Sequence, residues 1–393
     1  MIEHLKDIVQ RLPSYRDAAE GMREIVLAHL AMIGEVPSQT GHESARVERV
    51  LSRFSDAGMV SCSMDEMTNG LGCLPGDRGE RTLLVASNAD SLAEEDYEPR
   101  VQIDADQVIG PYVGDNSLSL AAMASMPTLL ERLGIRLRAN VVFLAASRAL
   151  GRGNQEGLKF FLDHASPRCD AGLCIEGVQL GRLNYVSLGM ARADIIVRLP
   201  DDYDWVKFGS TGTILPMTEI VSRMGNIPMP RRPLTSLVIG SISGGIGHQN
   251  IARETTLGFE IRSESSELLD QMLGQIEDIT EDVAARGGIR VAMDVFARRA
   301  PGALDIGHPL VRAGREILGG LGISPMMYPS TSGLSAFLDR GIPAVTVGMS
   351  TGERRSDLAE IEEVIRLPTL YTGMAQLVGL LCAMDEEPGD VES

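Results

Sequence analysis

Histidine is sparse in this chain of 393 residues, with six in all: His4, His29, His42, His164, His248 and His308. Cysteine is sparser still, and its five residues include no close Cys-x-x-Cys pair. That pattern excludes a cysteine-built zinc site and a disulfide framework, and scattered thiols fit a reducing cytoplasm, the expected location. Basic residues are outnumbered, 36 Lys and Arg against 54 Asp and Glu, a net charge of −18. Without a basic footprint, neither nucleic acid nor an anionic membrane surface is an expected partner. No apolar run reaches the roughly 20 residues that span a bilayer. The opening Met1-Ile2-Glu3-His4-Leu5-Lys6-Asp7 lacks the basic-then-apolar layout of a signal peptide. No internal repeat is visible.

What is present reads as an ordinary folded protein of two or three domains, at roughly 150 residues per domain. Residues up to 55 have helical spacing, with a break expected near Pro13 and a loop at Pro37-Ser38-Gln39-Thr40-Gly41. Short apolar runs at 81–87, 140–146, 171–175 and 341–348 read as buried strands, and 118–133, 309–321 and 369–384 as helices. Buried strands alternating with helices predict an α/β domain with a mainly parallel sheet. Between 187 and 296 the texture changes to strand, helix, two strands, helix and strand, a ferredoxin-like α+β unit. The expected division is therefore 1–186 with 297–393, and an insert at 187–296.

Chemistry in such a sheet gathers at the carboxyl ends of its strands. Those ends carry Asn88-Ala89-Asp90-Ser91, Gly114-Asp115-Asn116, Ser147-Arg148-Ala149 and Glu176-Gly177, with Glu353-Arg354-Arg355-Ser356-Asp357 near the C-terminus. Ser91 and Ser147 have no histidine partner in sequence context, and there is no Gly-x-Ser-x-Gly elbow. Cys174 falls inside a strand and reads as inert. Gly151-Arg152-Gly153 lacks the lysine of a phosphate loop. His248 reads as a loop histidine, and the charge run 353–363 as a solvated loop and helix face.

Together these blocks resemble the co-catalytic zinc peptidase and deacylase family of aminoacylase, peptidase T, glutamate carboxypeptidase and succinyl-diaminopimelate desuccinylase. The likeness covers nearly the whole chain. It includes Pro37-Ser38-Gln39-Thr40-Gly41-His42-Glu43, Ser243-Gly244-Gly245 with Asn250, Glu260-Ile261-Arg262 and Gly341-Ile342-Pro343-Ala344-Val345. The resemblance implies a zinc-exopeptidase-like domain with an inserted dimerisation domain. It also implies two metal ions sharing a carboxylate, with a Glu as general base.

Matched residue by residue, the family's His-x-Asp becomes Asn88-Ala89-Asp90, and its Glu-Glu pair becomes Arg148-Ala149. The last histidine ligand falls at Arg354 or Arg355, and the histidine of the insert at Tyr203. Asp115 and Glu176 remain as candidate ligands. Asn250 and Arg262 match substrate-binding positions, although Arg262 equally suits a strand-end cap at a dimer interface. Arginine cannot ligate a metal and an amide oxygen does so poorly. The reading predicts a catalytically degenerate homodimer that binds peptide-like or N-acyl amino-acid ligands, with no cofactor. Arg148 and one or both of Arg354 and Arg355 are expected to replace the zinc charge beside Asp90, Asp115 and Glu176. The alternative is a hydrolase of C–N bonds using one weakly bound divalent cation on Asp115 and Glu176, zinc in relatives.

Overall fold

The structure, a computed structural model, describes residues 2–91, 99–201, 212–356 and 361–386. It divides into two compact units, Met1–Val186 with Ala303–Ser393, and Ser187–Gly302.

In the first unit, Asn140–Ala146, Thr82–Asn88, Ala171–Val178 and Ala344–Ser350 lie side by side and parallel. Antiparallel strands close both edges, giving seven in all. The central strands are apolar almost throughout because alternate residues meet different cores. Leu83, Val85, Val141, Phe143 and Leu173 pack with the helices Ile2–Glu20, Ser44–Asp56, Leu118–Arg132 and Leu367–Asp385. Leu84, Ala86, Leu144 and Ala146 meet the shorter helices Glu156–His164 and Leu334–Leu338 on the other face. Among the described residues, Leu367–Asp385 is the one helix long and apolar enough to cross a membrane. Its apolar sides are mostly buried in this unit.

The second unit is a four-stranded antiparallel sheet in the order Thr235–Gly244, Glu254–Ser263, Gly189–Arg198, Arg290–Arg299. Helices Ile214–Gly225 and Ser266–Gly287 cover one face through Ile195, Val197, Leu257, Phe259 and Ile261. The chain order is the ferredoxin-like one.

Three local expectations differ from the structure. The first helix runs unbroken through Pro13. A mid-helix proline costs about 3 kcal/mol, and burial of Ile8, Leu12, Tyr15 and Ala19 on this helix offsets it. The second unit ends at Gly302 rather than 296, since its last strand continues through Arg299. The charge run is no helix face: Gly352–Ser356 and Ile361–Arg366 pair as antiparallel strands, and the second extends onto Gln107–Pro111. That pairing buries Glu363, which is 2% exposed.

One buried histidine makes the first unit sensitive to acid. His29 is buried with its Nδ1 2.9 Å from Ser125 Oγ. Burial, and then the nearby Arg53, hold its pKa below 6.5. The unfolded chain therefore takes up this proton first, so stability present above about pH 6.5 is lost as pH falls through the lowered folded value. His29→Gln is expected to flatten the acid limb of the stability curve relative to the parent, read by urea denaturation across that range.

Candidate functional site

Asp90 follows the strand Thr82–Asn88 and is fully buried. Its Oδ2 accepts from the Thr40 hydroxyl at 2.7 Å and from the backbone N–H groups of Ala149 at 2.9 Å and Leu150 at 2.8 Å. Its Oδ1 has no partner among the described residues. Burial pushes its pKa up to about 6 against the pull of those hydrogen bonds, and Glu43 adds to the rise. Glu43, also buried, accepts from the N–H groups of Gly41 and Arg148, both at 2.8 Å. Asp90 and Glu43 thus brace the turn that holds Arg148 and Ala149. Ala149 contributes only its backbone there, and Asn88 is half-buried at its strand end.

Arg148 does not enter the acidic cluster. Its backbone is left-handed, with φ 47°, and its N–H is anchored on Glu43. From that turn the guanidinium reaches Glu156 at 3.3 Å, with both side chains largely exposed. The expected pairing of Arg148 with Asp115 or Glu176 is therefore incorrect.

Arg354 fills that place. Its Nη2 lies 2.7 Å from Glu363 Oε1 and 3.2 Å from Asp115 Oδ2, and its Nε lies 3.0 Å from the same Glu363 oxygen. The other Glu363 oxygen accepts from the N–H groups of Gly114 at 2.8 Å and Asp115 at 2.9 Å. Desolvation, and then Glu363, raise the Asp115 pKa, while Arg354 and Arg182 oppose the rise. Arg355 is exposed outside this cluster. Neighbours on a strand point to opposite faces, so only one of the two arginines can turn inward.

Glu176, near the end of Ala171–Val178, pairs with Arg182 Nη1, and Arg182 Nε reaches Gln179 at 3.1 Å. Three carboxylates, Asp115, Glu176 and Glu363, thus stand with two guanidinium groups. Their backbones are fitted closely. A Cβ on Gly177 would lie 1.6 Å from the Gly114 carbonyl oxygen, and one on Gly348 would lie 2.2 Å from that of Gln179.

Sequence reasoning missed Arg182, Glu363 and the bracing role of Glu43. Glu363 carried a signal, an acid inside the strand-like run Ile361-Glu362-Glu363-Val364-Ile365. In the second unit, Arg262 and Arg192 both pair with Glu260. Burial raises the Glu260 pKa, but the bonds from both arginines outweigh it and hold the value below the usual carboxylate range. Asn250 lies in an exposed turn, its N–H 3.4 Å from the Gly247 oxygen. Tyr203 lies outside the described residues.

Arg354→Gln removes the cation between Asp115 and Glu363, and Glu363 remains buried beside a like charge. Urea denaturation is expected to show a loss of about 1–3 kcal/mol, with the upper half of that range limited by the partial exposure of Arg354.

No protein-family model and no curated protein sequence matches the chain. Solved structures do. A di-peptidase of Saccharomyces cerevisiae superposes with a TM-score of 0.77 at 14% identity, covering 96% of this chain and 99% of that one. A tripeptidase of Staphylococcus aureus gives 0.71 at 18% identity, covering 93% and 99%. A dinuclear metal-binding peptidase of Bacillus subtilis gives 0.60 at 13% identity, covering 93% and 98%. Identities this low speak to the fold alone. Among the described residues no group of three or more His, Cys, Asp or Glu is placed to hold a metal ion. Asp115 and Glu176 are each on a guanidinium, and an amide and a methyl stand at Asn88 and Ala149, so these donors do not fit a pair of divalent ions. In architecture, from end to end, this chain has the fold of the metallopeptidases whose sequence blocks it resembles.

Proposed function

We propose that the protein is a catalytically degenerate relative of these peptidases, a homodimer that binds peptide-like or N-acyl amino-acid ligands and does not hydrolyse them. One observation carries this reading: a single Arg354 nitrogen lies between Asp115 and Glu363. A guanidinium supplies positive charge in a fixed fork, but it cannot accept a lone pair from water or a carbonyl. Nothing at Arg148-Ala149 can take a proton from water; Glu43 is engaged by backbone N–H groups, and so is one oxygen of Asp90, whose other oxygen is buried without a partner among the described residues. For the ligand carboxylate the reading names Arg262, half-exposed in the second unit beside its partner Glu260.

The test is a panel of dipeptides and N-acyl amino acids with zinc, cobalt or manganese added, alongside elemental analysis of the desalted protein. The expected result is calorimetric binding by members of the panel, no turnover, and metal well below one ion per chain. Metal-dependent turnover that Asp115→Ala abolishes would falsify the reading and establish the hydrolase alternative.

The dimer part of the reading rests on the strand Thr235–Gly244. It lies at the sheet edge and is exposed from Val238 onward, with Ile239 38% and Ile242 55% exposed. An open edge with apolar side chains favours pairing with a second copy. Light scattering is expected to give twice the chain mass for the parent, and a single chain mass when Ile239→Lys and Ile242→Lys are combined. A parent that runs as a monomer removes the dimer from the proposal.

A further inference from the structure

In the second unit, Ala193, Ile195, Leu257, Phe259 and Ile261 pack on the helices. Strand alternation therefore gives Arg192, Asp194, Gly258, Glu260 and Arg262 a shared place on the other face. A hollow of about 310 Å³ lies on that face, at the small end of the range for organic ligands. Its floor is Gly258, which pairs with Ser241 on one side and Asp194 on the other. A Cβ there would lie 2.7 Å from Ser241 Oγ and 3.5 Å from Asp194 Oδ1. A hydroxyl and a carboxylate oxygen thus converge over one bare backbone position. Ser241 Oγ has no hydrogen-bond partner among the described residues.

The charges on this face run in order along the strands. Arg262 stands at one end. The next row sets Glu260 against Arg192, whose charges cancel. The row beyond holds Asp194 directly opposite Asp294. Two cations against three anions leave one net negative charge, but the face is positive at Arg262 and negative at Asp194. Arg262 meets Glu260 through its Nε, and its two Nη groups have no partner among the described residues. That contact leans the guanidinium into the Glu260 row. From there to the Gly258 row is two residues of strand, roughly 7 Å. A ligand of one charge meets repulsion at one end, whereas a zwitterion of that span meets its complement at both.

We infer that this hollow binds a zwitterion whose ammonium and carboxylate stand as far apart as in a dipeptide. The carboxylate takes the Nη fork of Arg262, and the ammonium donates to Asp194 Oδ1 and Ser241 Oγ over Gly258. An α-amino acid is too short to reach both ends, and an N-acylated ligand has no ammonium to place. The inference rests on the proposed binding of peptide-like ligands and narrows it to those with a free amino group.

Titration calorimetry of the full chain sets glycylglycine and 5-aminopentanoate, which share that charge spacing, against glycine, pentanoate, pentylammonium and N-acetylglycylglycine. Both spaced zwitterions are expected to bind, and the others at least about tenfold more weakly. Asp194→Asn is expected to weaken 5-aminopentanoate by about tenfold and erase its advantage over pentanoate. Arg262→Gln is expected to erase its advantage over pentylammonium. Gly258→Val fills the hollow and is expected to abolish binding in a chain whose circular dichroism matches the parent's. If Asp194→Asn does not fold, Ser241→Ala gives the same reading with a smaller loss. Absence of binding by either spaced zwitterion overturns the inference, and so does undiminished 5-aminopentanoate affinity in the folded variants. Equal binding of N-acetylglycylglycine sinks this site and leaves the proposed function standing. Metal-dependent turnover sinks the proposed function and leaves this site standing.

Discussion

Two carboxylates that share a hydrogen-bonded corner of a protein repel each other unless a proton or a cation stands between them. In this chain that cation is the Arg354 guanidinium, which joins Asp115 on one loop to Glu363 on a strand far away in sequence. Arg354 and Asp115 are each partly exposed, which screens their attraction, whereas Glu363 is buried and makes the stronger contact. The hairpin of Gly352–Ser356 and Ile361–Arg366, the turn at Gly114-Asp115 and the end of Ala171–Val178 all converge on this point. A tethered guanidinium differs from a bound ion in one respect that matters for chemistry. It has no vacant coordination position, so it neutralises charge without activating water.

The fold was largely legible in the sequence because its signals are periodic. Val85 and Phe143 sit in apolar runs too short for helices, and the insert alternates as a half-buried strand does, with Ala193, Ile195 and Val197 facing one core. Pro13 misled because local propensity says nothing about the helices that pack on Leu12 and Tyr15. The site was legible by position and less so by partner. Spacing placed Asp90, Asp115 and Glu176 at strand ends. Which arginine met which acid depended on backbone geometry that residue type does not report: the left-handed turn at Arg148 and the strand alternation that separates Arg354 from Arg355. Glu363 was hidden because a charge inside a charge run looks solvated until the strand pairing that buries it is known.

The two ends of the parallel sheet carry different kinds of polar groups. At the carboxyl ends, acids are held by arginines and backbone N–H groups, and nearly every charge has a partner. At the amino ends, Leu5, Val9, Leu310 and Met384 line a cavity together with Lys6, Arg81 and Arg312 and with Asp170, Glu316 and Glu386. A sheet of this kind exposes loops of independent sequence at each end, so change at one end leaves the other untouched.

Gly177 and Gly114 give the site a memory that its side chains lack. Their backbones touch so closely that a single added methyl group has no room. Side chains around it can change one at a time, while this contact leaves no room for a Cβ at position 177. Shape is therefore constrained more strictly than charge here, and the fold is shared with a di-peptidase at 14% identity.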